Sequence, residues 1–186
     1  MIKKAIARFI LHTLWGWKMV EPYPQEVKKS VIMVLHHTTN WDFPIGILIR
    51  PAWNLDTHFA AKSSLFWFPL GVLMRAIGGV AVDRSKNTNF VDAVAALYKD
   101  KKSFKITIAP EGTRKKVTQL KTGFYYIAMK AGVPIVCCKF DWGKMELGFS
   151  QPFYPTGDYE KDLPQLLTYF KGTKGRIPEY DYEIPN

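Results

Sequence analysis

The sequence predicts an α/β fold: a mixed, mostly parallel sheet covered by helices on both faces, with an amphipathic helix at the N-terminus. Short apolar runs typical of buried strands alternate with segments whose apolar residues recur at helical spacing. Chains with this alternation form sheets packed between helices. The length of 186 residues and an apolar content of 47% predict one domain over 1–186 with a substantial core.

The first predicted element is a helix over 3–17. Its apolar residues form one stripe: Ile2, Ile6, Phe9, Ile10, Leu14 and Trp17. The basic residues lie largely off this stripe, and Pro22 ends the element. The basic start and apolar stretch do not predict a secretory signal, because Arg8 interrupts the apolar part and tryptophans occupy the place of a small-residue cleavage site.

The remaining elements alternate along the chain. Strands are predicted over 31–35, 57–61, 80–82, 104–109, 133–140 and 144–149. Helices are predicted over 41–49, 65–77, 88–99, 123–131 and 158–170. The longest uncharged run, 63–74, contains Pro69 and is shorter than the roughly 20 residues of a membrane-spanning helix, so no spanning segment is predicted.

The charge balance indicates an anionic partner. The chain has 26 Lys and Arg against 16 Asp and Glu, a net charge of +10, and 15% of its residues are aromatic. A basic and aromatic composition fits a membrane surface better than nucleic acid. A basic nucleic-acid-binding domain is the weaker alternative, because no helix carries a dense basic stripe and no nucleic-acid-binding motif is present.

The two cysteines, Cys137 and Cys138, are adjacent. Neighbouring strand residues point to opposite faces, so a disulfide between them is not expected, and the chain suits a reducing compartment. No Cys/His spacing predicts a metal site. Nucleophilic catalysis by either cysteine is disfavoured because both residues lie in an apolar strand, and a serine hydrolase is disfavoured because no Gly-x-Ser-x-Gly motif is present.

A titratable cluster follows the strand at 31–35. If the chain turns after His37, Asp42 can fold back and accept a hydrogen bond from His37 Nδ1–H. This leaves His37 Nε2 as a general base. The spacing alone is weak evidence. The alternative is that Asp42 caps a helix and His37 is an ordinary loop histidine. His36 is predicted to face away from His37.

Cations follow three predicted strands. Arg114 lies in the loop Pro110-Glu-Gly-Thr-Arg114, Arg84 follows the strand at 80–82, and Lys62 follows the strand at 57–61. A cleft lined in this way would hold a phosphorylated ligand beside the histidine. The alternative is that these are solvated loop charges. Glu111 is a candidate for orienting Arg114 or its loop instead of touching substrate.

These motifs resemble a known family. His37-Thr-Thr-Asn-Trp-Asp42, Gly79-Val-Ala-Val-Asp-Arg84, Pro110-Glu-Gly-Thr-Arg114 and Gly132-Val-Pro-Ile-Val136 resemble, in this order, the four sequence blocks of the glycerolipid acyltransferases. This is the family of 1-acyl-glycerol-3-phosphate acyltransferase. Lys62-Ser-Ser-Leu65 resembles a further lysine-containing block of that family.

The resemblance implies an enzyme that moves a fatty acyl group from coenzyme A or acyl carrier protein to a glycerolipid hydroxyl, without a cofactor. It implies that His37 is the general base, held by Asp42, and that the hydroxyl attacks the thioester directly. It also implies binding of the acceptor, and of its phosphate in particular, by one set of residues: Lys62, Arg84, Glu111, Gly112, Thr113 and Arg114. The acceptor implied is 1-acylglycerol-3-phosphate and the product is phosphatidic acid.

Two positions depart from the family pattern. His36 stands where the family has a small residue or proline, and Cys137 stands where it has proline. An acyltransferase that uses another lyso-lipid acceptor, and a non-catalytic lipid-binding protein of the same fold, therefore stay open as alternatives.

A lyso-lipid acceptor lies in a bilayer, so the chain needs a surface that contacts the membrane. Residues 1–20, with their amphipathic helix and two tryptophans, are one candidate, and the apolar run 65–74 is the other. The alternative is that both are ordinary core. The predicted location is cytoplasmic, peripheral on the cytoplasmic face of the membrane, where basic residues add attraction to anionic lipid.

Overall fold

A computed structural model describes residues 2–82 and 90–185, apart from the side chain of Lys62. Within this part of the chain one sheet has the strand order β1-β7-β6-β2-β5-β3-β4. The strands are β1 (Lys18–Glu21), β2 (Lys29–Leu35), β3 (His58–Lys62), β4 (Gly79–Val82), β5 (Phe104–Ile108), β6 (Ile135–Asp141) and β7 (Glu146–Phe149). Neighbouring strands pair in parallel, except β6 and β7. The predicted mixed, mostly parallel sheet is confirmed.

The helices lie between the strands, as predicted. They are α1 (Ile2–Arg8), α2 (Asp42–Trp53), α3 (Leu70–Ala76), α4 (Phe90–Ala96), α5 (Gly123–Ala131) and α6 (Tyr159–Thr168). A π-helix, Phe9–Leu14, continues α1. No helix among the described residues is long and apolar enough to cross a bilayer.

The central strand β2 shows why both faces of the sheet carry helices. Val31, Met33 and Leu35 pack into a buried cluster with residues of α4, α5 and α6. Ile32 and Val34 point the other way and pack with residues of α1 and α2. Because successive strand side chains alternate between faces, a continuous apolar run of this kind is typical of a strand covered on both sides.

The N-terminal segment departs from the prediction. The helix changes to π geometry at Phe9 and ends at Leu14, and Lys18–Glu21 forms an edge strand paired in parallel with β7. This strand was missed because it contains no continuous apolar run. Trp17 does not belong to the exposed apolar stripe: it is buried at 1% exposure, with its ring against Trp142.

The N-terminal helical segment packs on α2 through residues that do not belong to the predicted stripe. Ala7 and Leu11 are buried in the α1–α2 cluster, and Arg8 Nε donates a hydrogen bond to the carbonyl oxygen of Ala52 at 2.8 Å. Four large apolar side chains of the predicted stripe stay exposed: Ile2, Ile6, Phe9 and Leu14. The alternative that this stripe is ordinary core is therefore wrong for most of its residues.

Other predicted helices differ in their bounds. The helix predicted over 65–77 is limited to Leu70–Ala76, because a 3-10 turn at Ser63–Leu65 and then Pro69 precede it. The helix predicted over 41–49 continues to Trp53. Of the helix predicted over 88–99, the described part is helical at Phe90–Ala96, and residues 88 and 89 lie outside the described residues.

Candidate active site

The side chains of His37 and Asp42 meet at the C-terminal end of β2. The distance between His37 Nδ1 and Asp42 Oδ2 is 2.9 Å. Asp42 is the first residue of α2, so the turn that starts this helix brings the carboxylate back onto the imidazole. Asp42 is buried, whereas the ring of His37 is partly exposed. The imidazole is therefore the member of the pair that can meet a ligand.

Two more donors hold Asp42. Its Oδ2 accepts the backbone N–H of Thr39 at 3.3 Å, and its Oδ1 accepts the indole N–H of Trp142 at 2.8 Å. A carboxylate fixed from both sides orients the acceptor atom that His37 Nδ1 faces. With Nδ1 as the donor to Asp42, the lone pair of His37 Nε2 is free to take a proton.

Glu111 supports His37 from inside the protein. Its Oε1 accepts the backbone N–H of His37 at 2.9 Å. Its side chain is 3% exposed, and among the described residues its Oε2 has no hydrogen-bond partner. Burial raises the pKa of Glu111 to about 7, an effect that the His37 amide only partly offsets. Glu111 is buried as well as outside the cleft lining, which favours an orienting role over contact with substrate.

His36 turns away from His37, as the alternation of strand side chains predicts. It is buried, and its Nδ1 accepts the backbone N–H of Tyr182 at 3.2 Å. Burial lowers the pKa of His36, although Asp181, 4.0 Å away, opposes that effect. His36 therefore ties the loop after β2 to the C-terminal segment.

A cleft of about 370 Å³ opens beside His37, between α2 and the strands β2, β3 and β5. Most of its wall is apolar: Val34, Phe43, Gly46, Ile47, Phe59, Ala60, Ile77, Ala109 and Phe140. The cleft runs from the C-terminal ends of β2 and β5, where His37 and Arg114 lie, to the N-terminal end of β3. It can accept an extended apolar group whose polar end stays at the imidazole.

The far end of the cleft is polar. Arg50 Nη2 donates to Asp56 Oδ1 at 3.0 Å, and His58 Nδ1 is 3.3 Å from the carbonyl oxygen of Lys105. Burial lowers the pKa of His58. His58 is the first residue of β3, in keeping with its prediction as a strand residue.

The loop after β5 holds Arg114 at the cleft. Gly112 has φ of 62°, a left-handed backbone conformation that favours glycine. Thr113 Oγ1 accepts the backbone N–H of Lys115 at 3.3 Å. In this arrangement Gly112 and Thr113 shape the loop, and Arg114 faces the ligand space.

The other two predicted cations are only partly described. Lys62 is the last residue of β3, at the same edge of the sheet as Arg114, and nothing is described of its side chain. Arg84 lies in 83–89, outside the described residues. The structure therefore supports a cationic lining at Arg114 and leaves the other two positions as predictions.

The cysteines are unsuited to nucleophilic catalysis. Cys137 and Cys138 are buried in β6. Burial raises the pKa of Cys137 to about 12 and that of Cys138 well above its ordinary value, so neither thiol ionises readily. Within residues 2–82 and 90–185, no group of three or more His, Cys, Asp and Glu side chains could hold a metal ion.

Comparison with known proteins agrees with this geometry. A family model described as Acyltransferase matches residues 18–141, the part of the chain that contains the whole sheet up to β6. The chain belongs to the acyltransferase family. The predicted membership and the predicted enzyme class are confirmed.

The acyltransferase has several named relatives. It is 29% identical over 196 residues to the 1-acyl-sn-glycerol-3-phosphate acyltransferase of Haemophilus influenzae. This alignment spans 94% of this chain and 80% of that protein. It is 30% identical over 135 residues to the enzyme of the same name from Escherichia coli, spanning 68% of this chain. That alignment includes 54% of the Escherichia coli protein, so the matched region is about half of that relative.

A solved structure resembles the acyltransferase in fold. The crystal structure of the 1-acyl-sn-glycerophosphate (LPA) acyltransferase PlsC from Thermotoga maritima has a TM-score of 0.59 and 17% identity. The similarity covers 94% of this chain and 80% of that chain. At this identity the comparison confirms the α/β fold.

Sequence reasoning missed several residues of the site. Trp142 donates to Asp42 across 100 positions of sequence, and Phe140 lines the cleft from the same strand end. Arg50 reaches the cleft from the last turn of α2. No local pattern marks these residues: the pairing of β6 with β2 brings Phe140 and Trp142 to the site, and the packing of α2 brings Arg50.

Proposed function

We propose that this acyltransferase moves a fatty acyl group from acyl-CoA or acyl-acyl carrier protein to the hydroxyl of 1-acylglycerol-3-phosphate, giving phosphatidic acid. The observation that carries the proposal is the 2.9 Å contact between His37 and Asp42 at the opening of a mostly apolar cleft. The names of the relatives from Haemophilus influenzae and Escherichia coli support the choice of acceptor. Residues 1–186 act as one catalytic domain in this proposal.

The chemistry is a direct transfer. His37 Nε2 takes the proton of the acceptor hydroxyl while the hydroxyl oxygen attacks the thioester carbonyl carbon. The carbon–sulfur bond then breaks, the sulfur leaves as a thiol after it receives the proton from His37, and an ester remains. Asp42 stabilises the imidazolium that forms in between, in the way that a buried carboxylate stabilises the histidine of a hydrolase triad. No cofactor takes part.

The cleft supplies the two binding environments that such a reaction needs. Its apolar wall, which includes Phe43, Ile47 and Phe59, is suited to the acyl chain. Arg114 lies at the same end as His37 and offers a guanidinium fork to the acceptor phosphate. Lys62 and Arg84 complete the cationic side in this proposal. Binding both substrates in this cleft orients hydroxyl and thioester toward each other.

We propose that the exposed apolar residues hold the protein on a membrane surface. Phe68 is 83% exposed and Ile2 is 76% exposed. Trp41 and Phe43 are exposed at the start of α2, close to His37 in sequence and structure. Side chains of this kind insert into the interface between lipid headgroups and acyl chains, and Lys3 on α1 adds attraction to anionic lipid. The site would then open toward its lipid acceptor on the cytoplasmic face.

The test is release of free thiol from a long-chain acyl-CoA, with 1-acylglycerol-3-phosphate, a phosphate-free lyso-lipid or no acceptor. We expect release that requires the phosphorylated acceptor. We expect it to fall about 10²- to 10⁴-fold in His37→Ala, the range of general-base contributions. His12→Ala, which removes an exposed histidine that packs on Trp53, is the matched control and should keep full activity.

The alternatives give different results in the same assay. Release only with the phosphate-free acceptor would keep the chemistry and reject the assigned acceptor. No release in any arm, with acyl carrier protein as the donor too, would reject the enzymatic proposal in favour of a lipid-binding protein. Full activity in His37→Ala would reject the role of His37.

A further inference from the structure

The C-terminal strap, residues 171–185, folds back over the loop that carries His37. The backbone N–H of Ile177 donates to Thr38 Oγ1 at 3.2 Å. The backbone N–H of Trp142 donates to the carbonyl oxygen of Lys174 at 2.8 Å. Together with the hydrogen bond from the backbone N–H of Tyr182 to His36 Nδ1, these contacts fix the strap at three points around the loop that carries His37. The strap lies outside the residues that the family model matches.

The strap places Arg176 between two aromatic rings. Its guanidinium carbon is 5.2 Å from the ring centroid of Trp41 and 4.9 Å from that of Trp142. Both rings belong to the site: Trp41 precedes Asp42 in sequence, and Trp142 donates its indole N–H to Asp42. Arg176 therefore lies on the surface beside the residues that adjoin Asp42, outside the lining of the cleft.

The guanidinium of Arg176 has free hydrogen-bonding capacity. It is exposed, and among the described residues it forms no ion pair and no hydrogen bond. Stacking against aromatic faces fixes the plane of an arginine and leaves the N–H groups at its edge free. An arginine held in this way loses little further side-chain entropy when an anion binds, and its paired N–H groups match two oxygens of one phosphate.

We propose that Arg176 binds a phosphate monoester of a substrate on the surface beside the His37–Asp42 pair. This inference rests on the proposed function, and it adds a residue of the strap to the substrate-binding set. Two substrates carry such a group: the lyso-lipid acceptor, whose phosphate lies close to the reacting hydroxyl, and coenzyme A, whose 3′-phosphate is separated from the thioester by the pantetheine arm. The chemistry recognised is the same in both.

The test compares Arg176→Gln with Lys171→Gln, which removes a positive charge from the same strap away from the two tryptophans. Loss of a charge-assisted hydrogen bond should raise the KM for one phosphorylated substrate about 10- to 100-fold and leave kcat nearly unchanged. Arg176→Lys, which keeps the charge but loses the fork, should recover part of the affinity. Lys171→Gln should match wild type.

Two substrate pairs identify the source of the phosphate. If the acceptor supplies it, the KM for 1-acylglycerol-3-phosphate rises and the KM for acyl-CoA does not. If the donor supplies the phosphate, Arg176→Gln raises the KM for acyl-CoA to the value for the acyl thioester of dephospho-CoA. The KM for the dephospho-CoA thioester itself is then the same in Arg176→Gln and wild type. Equal KM values in wild type and Arg176→Gln for both substrates would overturn the inference. So would a fall in kcat alone, which would indicate that Arg176 only positions Trp142.

A binding measurement separates this inference from the proposed function. Calorimetric titration of the wild type with a short-chain lysophosphatidate, and with coenzyme A against dephospho-CoA, needs no turnover. Phosphate-dependent binding that weakens in Arg176→Gln supports the inference even for a protein without acyltransfer activity. Absence of such binding in the wild type, or its persistence in Arg176→Gln at wild-type thermal stability, would overturn it.

Discussion

The helices on the two sides of the sheet differ in how much apolar surface they leave exposed. On α4–α6 the exposed large apolar side chains are Tyr126 and Met129, and the rest pack against the sheet. In contrast, α1, the start of α2 and the segment 65–73 expose many large apolar side chains. Exposed apolar patches of this kind mark interaction surfaces, so the difference separates a region that packs on the sheet from the region that we propose contacts lipid.

Two phenylalanines give the sharpest test of this comparison. Phe124 on α5 is fully buried, so Phe124→Ala should lower the free energy of unfolding by about 3–5 kcal/mol. Phe68 is the matched residue on the exposed side, and Phe68→Ala should change stability by less than about 0.5 kcal/mol. Phe68→Ala should instead weaken binding to anionic vesicles, measured by co-sedimentation. Unchanged vesicle binding would remove the segment 65–73 from the proposed membrane surface.

Two buried carboxylates extend the comparison. Asp162 on α6 accepts hydrogen bonds from the Tyr125 hydroxyl and from the N–H and hydroxyl of Thr156. Burial alone would raise the pKa of Asp162, but these bonds outweigh burial and lower it. Glu111, with one unpartnered oxygen, has a pKa raised from 4.5 to about 7. The active-site carboxylate therefore costs stability at neutral pH, and the structural one does not.

The pH dependence of unfolding should show this cost. Because the folded state holds the Glu111 proton to a higher pH than the unfolded state does, stability is lost as the pH rises from 4.5 to about 7. Glu111→Gln should remove about 2–3 kcal/mol of the difference in unfolding free energy between pH 5 and pH 8. Asp162→Asn is the control: its pKa lies below this window, so the same difference should persist. If the unfolding free energy of Glu111→Gln differs between pH 5 and pH 8 as much as that of the wild type, the raised pKa of Glu111 is rejected.

The smallest expected effect concerns the cleft itself. A Cβ added at Gly46 on α2 meets no atom within 4 Å, and this residue lines the cleft. Gly46→Leu should therefore fill the cleft without a backbone clash and, by helix propensity, stabilise α2 by up to about 1 kcal/mol. The preferred acyl chain should become shorter, measured as relative kcat/KM across a series of acyl-CoA substrates. Gly123→Leu on α5 is the control; the same shift there would reject the cleft as the acyl site.

The sequence contained enough local information for the fold and for the centre of the site. The buried run of β2 predicts a strand covered on both sides, and the five-residue spacing of His37 and Asp42 is closed by the first turn of α2. Both features depend on residues that are close in sequence, so the apolar run and the His–Asp spacing can be recognised without the structure. Glu111 was placed in the right loop, but its direction, inward to the His37 amide, depends on the pairing of β2 with β5.

Features that depend on distant pairing were not predictable. The strand β1 forms because β7 offers it an edge, and its own residues carry no strand pattern. Trp142 and Arg176 reach Asp42 and its surroundings only after the sheet and the strap have formed. A single sequence without periodic signals at these positions gives no basis for joining them to the site.

The length of the outer strands has a consequence for self-association. In the described part of the chain, β1 and β4 lie at the two edges of the sheet and are four residues long each. A short edge offers few unpaired backbone groups to a strand of another molecule, so growth of the sheet from one molecule into the next is disfavoured. Short edges therefore oppose strand pairing between molecules that the proposed membrane surface would bring close together.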